Sequence, residues 1–287
     1  MTATTSALPA AAAGSTGPIS RLRWAVHDGL VVTKRNLLQI PRVPELLVFS
    51  TIQPVMFVLL FAFVFGGAIP IPGDPSPNAY REYLMAGIFV QTIAFNGAAT
   101  GVGMADDMQK GLVDRFRSLP MARSAVLAGR TTSDLIRSVL IVVIMSVCGL
   151  LVGWRIETGF WSALFAYVLI LAFGFAVSWV GAYIGLVVPN TEVANTAGFI
   201  WLFPLTFLSN AFVPLQGMPP WLQTIAIWNP VSSVVAAARE LFGNPNPFVG
   251  DTFPEQHSIL MSIGWIVVLL AIFAPLAIRR YRLTTSR

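Results

Sequence analysis

A chain of 287 residues with 55% hydrophobic and only 11% charged side chains lies outside the range of soluble proteins, in which charged residues are nearer ~25%. The net charge of +5 excludes an acidic surface, and its placement beside apolar runs points to orientation in a membrane rather than to nucleic acid. The single cysteine, Cys148, sits inside an apolar run, which excludes an intramolecular disulfide and a cysteine metal site.

Residues 1–20 are rich in Ala, Thr, Ser and Pro and carry no charge, which predicts a disordered cytoplasmic tail; a cleaved leader would place basic residues first. Residues 21–44 mix Leu22, Trp24, Val26, Leu30 and Leu37 with Arg21, Arg23, Lys34 and Arg35. That pattern predicts an amphipathic connecting helix lying in the inner interface, on membrane lipid. A six-span transmembrane domain follows over 45–282. The first span covers about 45–66, with Pro54 inside it, so a kink or a close neighbour is expected. A proline-rich outer loop with one basic residue, Arg81, leads to the second span over 83–104. The third covers 135–154 and the fourth 161–188, and all three contain a GxxxG pair (Gly97 and Gly101, Gly149 and Gly153, Gly181 and Gly185), which lets helix backbones approach closely. The fifth covers 195–213 and the sixth 259–278, ahead of a cytoplasmic tail over 283–287. Between them Pro214 to Ser258 is too long for a turn and too apolar for a solvated loop, and it holds Trp221, Trp228 and Pro230. Such a composition predicts short proline-broken helices in a partly re-entrant or interfacial outer hairpin.

The fold class is therefore all-α integral membrane. Of the eighteen basic residues, five lie in the N-terminal segment, six in the loop between the second and third spans and four in the C-terminal tail, against Arg81, Arg155 and Arg239 on the outer side. Both termini are thus expected in the cytoplasm.

No GxxxxGK[ST] loop occurs, so the chain has no phosphate site of its own and binds no cofactor. No span is expected to hold an ionisable side chain at its middle, with Asp134 and Arg137 at the start of the third. An ion-coupled carrier, which needs such groups, is the weaker alternative. So is a membrane-embedded enzyme, since no HExxH or GxSxG pattern occurs. The basic loop reads as helix, break, helix. Asp106 to Ser118 forms a helix with an acidic start and a basic end, stopped at Leu119-Pro120. Held between two spans, it can pass a push from a soluble domain into the bilayer.

The same loop and the outer hairpin resemble the type-2 ABC transporter permeases, in the branch of the daunorubicin-resistance membrane protein. The matching residues are Gly111, Asp114 to Met121, Arg123, Gly129-Arg130 and Asp134, then Asn210 to Pro214, Met218-Pro219, Trp221-Leu222, Asn229 to Ser232 and Arg239. The resemblance implies the permease subunit of an exporter in the bacterial plasma membrane. It would work with a second permease copy, as homodimer or heterodimer, and with two ATP-binding subunits that hold the ATP and Mg. It makes Asp106, Asp107, Asp114, Arg115, Phe116, Arg117, Leu119 and Pro120 the contact to the ATPase. Gln53, Gln91, Asn96, Phe203, Phe207 and Asn210 become the substrate path for a drug, a lipid or a glycan-linked lipid.

Topology is checked by labelling a cysteine at Ser76 on a Cys148→Ser background. A membrane-impermeant maleimide is expected to react from the outside of intact cells, and reaction from the cytoplasmic side alone would overturn the assignment.

Overall fold

The computed structural model describes residues 44–65, 69–73, 76, 78–111, 123–248 and 250–284. The expected tail over 1–20, the interfacial helix up to residue 43 and residues 112–122 of the basic loop lie outside them.

Among the described residues the extended elements of regular structure are all helices. Helix α1, Pro44–Leu60, runs on as a π-turn, Phe61–Phe65. Helices α2 (Ala79–Gln109), α3 (Arg123–Val152) and α4 (Phe160–Val187) follow. Helix α5 covers Thr191–Phe207. The outer hairpin folds as α6 (Pro220–Ile227), α7 (Pro230–Phe242) and the single turn α8 (Phe253–Gln256), and α9 (Ser258–Thr284) ends the chain. Prolines open α6, α7 and α8, where the missing N–H costs nothing.

Four stretches are long and apolar enough to cross a membrane: Ala79–Gln109, Leu127–Val152, Phe160–Val187 and Ser258–Tyr281. Helix α3 begins at Arg123, ahead of the expected span, and its turns from Leu127 to Asp134 carry Arg130, Thr131, Thr132 and Ser133. Helices α1 and α5 have 17 residues each, about 25 Å at 1.5 Å per residue. The helix expected to continue to residue 213 ends at Phe207, with Pro204 one turn before its end. From 208 to 213 the backbone is irregular.

Helices α2 and α4 make the most extensive contact in the molecule, and the glycines explain it. A Cβ on Gly101 would stand 2.6 Å from the Gly181 carbonyl oxygen, and one on Gly181 would stand 2.7 Å from that of Gly97. Each glycine rests against the other helix's main chain, the geometry that a small-xxx-small seam permits. The seam buries Ile88, Phe89, Ile93, Phe173 and Val177 in one core with α7 and the end of α1. A smaller cluster of Met104, Leu127, Trp179, Ala277 and Tyr281 closes the inner end.

Gly181→Ala is expected to destabilise the protein by about 1–3 kcal/mol, the range for overpacking against atoms that cannot move aside. Gly264→Ala, which meets nothing within 4 Å, is expected to be neutral. Thermal unfolding of the two purified variants in one detergent checks both.

Candidate functional site

Two polar sites interrupt the apolar bundle. The first is a cavity of about 250 Å³ bordered by α1, α2, α3 and α5. Gln53 and Phe57 face it from α1, Gln91, Phe95 and Asn96 from α2, Arg137 and Ile141 from α3, and Asn195 and Phe199 from α5. The side-chain amide of Asn96 donates to Ser138 Oγ at 2.6 Å, which fixes its direction. Arg137 is the one ionisable group among the described lining residues.

From this cavity an aromatic run leads toward the outer end. Phe95 meets Phe199 and Phe203 with ring centroids 5.6 and 5.7 Å away. Phe203 stacks on Phe207 at 5.3 Å, Phe207 meets Phe212 at 5.4 Å, and Phe212 stacks on Phe61 at 5.1 Å. Phe199, Phe203 and Phe207 recur every fourth residue, so they share one face of α5, and all three are 40–47% exposed.

Toward the cytoplasmic end assigned from sequence, α2 and α3 are joined by charge. Arg130 donates to Asp107 at 2.6 Å and to the Gly103 carbonyl at 3.1 Å. Its Nε lies 3.9 Å from Asp134, which also accepts from Thr100 Oγ1 at 2.7 Å. Asp106 pairs instead with Lys110 at 2.7 Å, near the surface. The two aspartates do not open a new helix, as expected from the sequence; they belong to the last turn of α2. Carboxylates are disfavoured at that end by the helix dipole, and Lys110 and Arg130 compensate them. Gly111, at φ +63°, then turns the chain away in a left-handed conformation that suits glycine.

The second polar site is a knot under the outer hairpin. The irregular backbone of 208–213 exposes carbonyls that no helix satisfies. Asn229 donates to the carbonyl of Leu205 in the last turn of α5 and to that of Leu208, at 2.7 and 2.8 Å, while its own oxygen caps α7 through the Val231 N–H. Arg239, on α7, is 0% exposed; the sequence had placed it only on the outer side. Its Nη2 donates to the carbonyls of Asn210 and Ala211 at 2.9 and 3.2 Å, its Nε donates to that of Tyr83 at 2.8 Å, and its guanidinium lies 3.4 Å from the Tyr83 ring centroid. Tyr83 Oη donates to the Asn210 carbonyl at 2.5 Å and Tyr80 Oη to that of Phe212 at 3.2 Å. Charge-assisted bonds at roughly 1.5–3 kcal/mol each and a desolvated cation–π contact of about 2 kcal/mol are of the same order as the several kcal/mol that burying a cation costs.

The C-terminal end of α7 is held as tightly. The carbonyl of Leu241 accepts from Thr158 and Ser162, and that of Phe242 accepts from the Glu157 N–H. Asn244 receives a bond from buried Trp154 at 2.7 Å.

The expected path residues therefore separate. Gln53, Gln91 and Asn96 line the cavity, and Phe203 and Phe207 belong to the aromatic run. Asn210 is buried in the knot, where neither polar atom of its side chain has a partner. Of the expected ATPase contacts, Asp106 and Asp107 end α2, while Asp114, Arg115, Phe116, Arg117, Leu119 and Pro120 lie outside the described residues. Sequence reasoning missed Phe57, Phe95, Arg137, Asn195 and Phe199 at the cavity. The fourfold spacing before Phe203 could have found Phe199.

Residues 29–242 match the family model described as ABC-2 type transporter. The chain belongs to the ABC-2 type transporter family. It is 35% identical over 258 residues to the daunorubicin resistance ABC transporter permease protein DrrB1 of Streptomyces coeruleorubidus, covering 90% of this chain and 87% of that one. To the doxorubicin resistance ABC transporter permease protein DrrB of Mycobacterium tuberculosis it is 27% identical over 234 residues, 79% of this chain and 80% of that one. With its apolar helices, membership of the ABC-2 family makes this a multi-pass membrane protein. Among the described residues of this ABC-2 member, no group of three His, Cys, Asp or Glu is placed to hold a metal ion.

Asn229→Ala removes two donors and leaves buried carbonyls unpaired, at about 1–3 kcal/mol each. The variant is expected to unfold at lower temperature and to be cleaved faster by protease in detergent, whereas Gln223→Ala, on the more exposed α6, is expected to match the unaltered protein in both measurements.

Proposed function

We infer that this chain is the permease subunit of an ATP-binding cassette exporter. It carries a hydrophobic or amphipathic substrate out of the cytoplasm or the inner leaflet of a bacterial plasma membrane, driven by a separate ATPase. The supporting observation is the cavity among α1, α2, α3 and α5 with its continuation as an aromatic run. Amide side chains and ring faces together suit a molecule that is apolar over most of its surface and polar at a few points. The printed names of the relatives, daunorubicin and doxorubicin resistance permeases, bring aromatic drugs into the same class, beside lipids and glycan-linked lipids.

In this reading α1 and α5 complete six spans with both termini inside, and the outer hairpin is partly re-entrant. A second permease copy covers the exposed aromatic face of α5. Two ATP-binding subunits, holding the ATP and Mg, dock on the loop from Asp106 to Pro120. The push delivered there travels into α2 and α3, which Arg130 ties together through Asp107, the Gly103 carbonyl and Asp134.

Arg115→Glu or Arg117→Glu is expected to abolish efflux while the permease still inserts, and to lower the amount of ATP-binding subunit that co-purifies with it. Unchanged efflux from cells carrying either variant would count against the coupling assignment.

A further inference from the structure

We propose that Arg239 is a positioning residue for an outer seal: it holds the irregular segment 208–213 on α2 so that Phe212 closes the outer end of the aromatic run. This rests on the permease reading above. Phe212 is 5% exposed, meets Phe207 of α5 at a tilt and stacks on Phe61 of the π-turn after α1. It therefore bridges the ends of two helices that border the cavity. No helix ladder holds its backbone. Its own carbonyl accepts from Tyr80, and the two carbonyls before it accept from Arg239. Gly87 completes the attachment, because the Ala211 carbonyl occupies the place a Cβ would take. The position of the ring is thus set by α2 and α7, not by the helix that precedes it.

The chemistry of the knot marks a seal that releases, rather than a fixed brace. Arg239 is held by neutral carbonyls and a ring face, and among the described residues no carboxylate lies within ion-pair range of it. Its Nη1 and both side-chain polar atoms of Asn210 are buried with no partner. Orphaned groups in a low-dielectric site raise the energy of the closed arrangement. An alternative in which 208–213 leaves α2 and these atoms find partners then lies close in energy, as a bistable gate requires.

The test uses the full-length chain in liposomes, with no nucleotide and no ATP-binding subunit, and reads entry of external iodide by quenching of an entrapped fluorophore. Arg239→Gln and Phe212→Ala are each expected to admit iodide at least tenfold faster than the unaltered chain. An Arg239→Gln protein that inserts, elutes at the unaltered size and stays tight would overturn the proposal. Should that variant fail to insert, Phe212→Ala decides: a leak upholds the seal, and a tight vesicle overturns it. A brace with no sealing role would lower stability without opening a path. Because no ATPase is present, a leak stands even if Arg115→Glu leaves efflux unchanged, which would remove only the coupling assignment.

Discussion

A backbone that leaves its helix inside an apolar bundle must find partners for its carbonyls, and the outer half of this protein is built around that requirement. Segment 208–213 leaves the helical ladder after Phe207. Residues 209–212 are buried, and each buried group left unpaired is costly. Two long donors from the next element supply the bonds: Asn229 at the start of α7 and Arg239 near its end. Helix α7 is in turn fixed by the turn between α3 and α4, through Thr158, Ser162 and Asn244. An arginine is suited to this position because its forked donors reach three carbonyls at once while its plane lies on Tyr83. A lysine, a point charge on a flexible stem, would not span them.

The inner half is organised by close approach. The glycine seam brings α2 and α4 to main-chain contact, so α2 is buried along most of its length. Its remaining face turns to α1, α3 and α5. Those helices meet it through larger side chains, Phe57, Ile141 and Phe199, which hold the backbones apart and leave the cavity. Tight packing on one side of α2 and loose packing on the other thus have one cause, the distribution of glycine around it. The charged set of Arg130, Asp107 and Asp134 joins the last turn of α2 to α3.

Much of this was legible in the residues. Long apolar runs declared the helices, the glycines four apart in the second and fourth spans declared the seam while Gly149 and Gly153 met no helix backbone, and prolines at 219, 220 and 230 declared the breaks of the hairpin. Errors arose where the local pattern was ambiguous. Pro204 did not show which side of it would lose the helix, and Ser209, Asn210 and Ala211 read as a helical continuation. Asp106 and Asp107 fit a helix start by composition yet end one. Their neighbours Lys110 and Arg130 overcome the dipole penalty, and Arg130 comes from another helix.

By itself the sequence determined the class, the helices and the asymmetry of charge, because hydrophobicity and positive-inside bias are properties of local segments. It also carried the resemblance to the family that the match over residues 29–242 establishes. Only the tertiary structure decided that Arg239 is buried, that it serves main-chain carbonyls from two other segments, and that Gln53, Gln91 and Asn96 share a cavity while Asn210 does not. Those facts depend on partners as far as 156 residues away along the chain. No local pattern encodes them, because a carbonyl left unpaired by one helix break can be claimed by any donor the fold brings near.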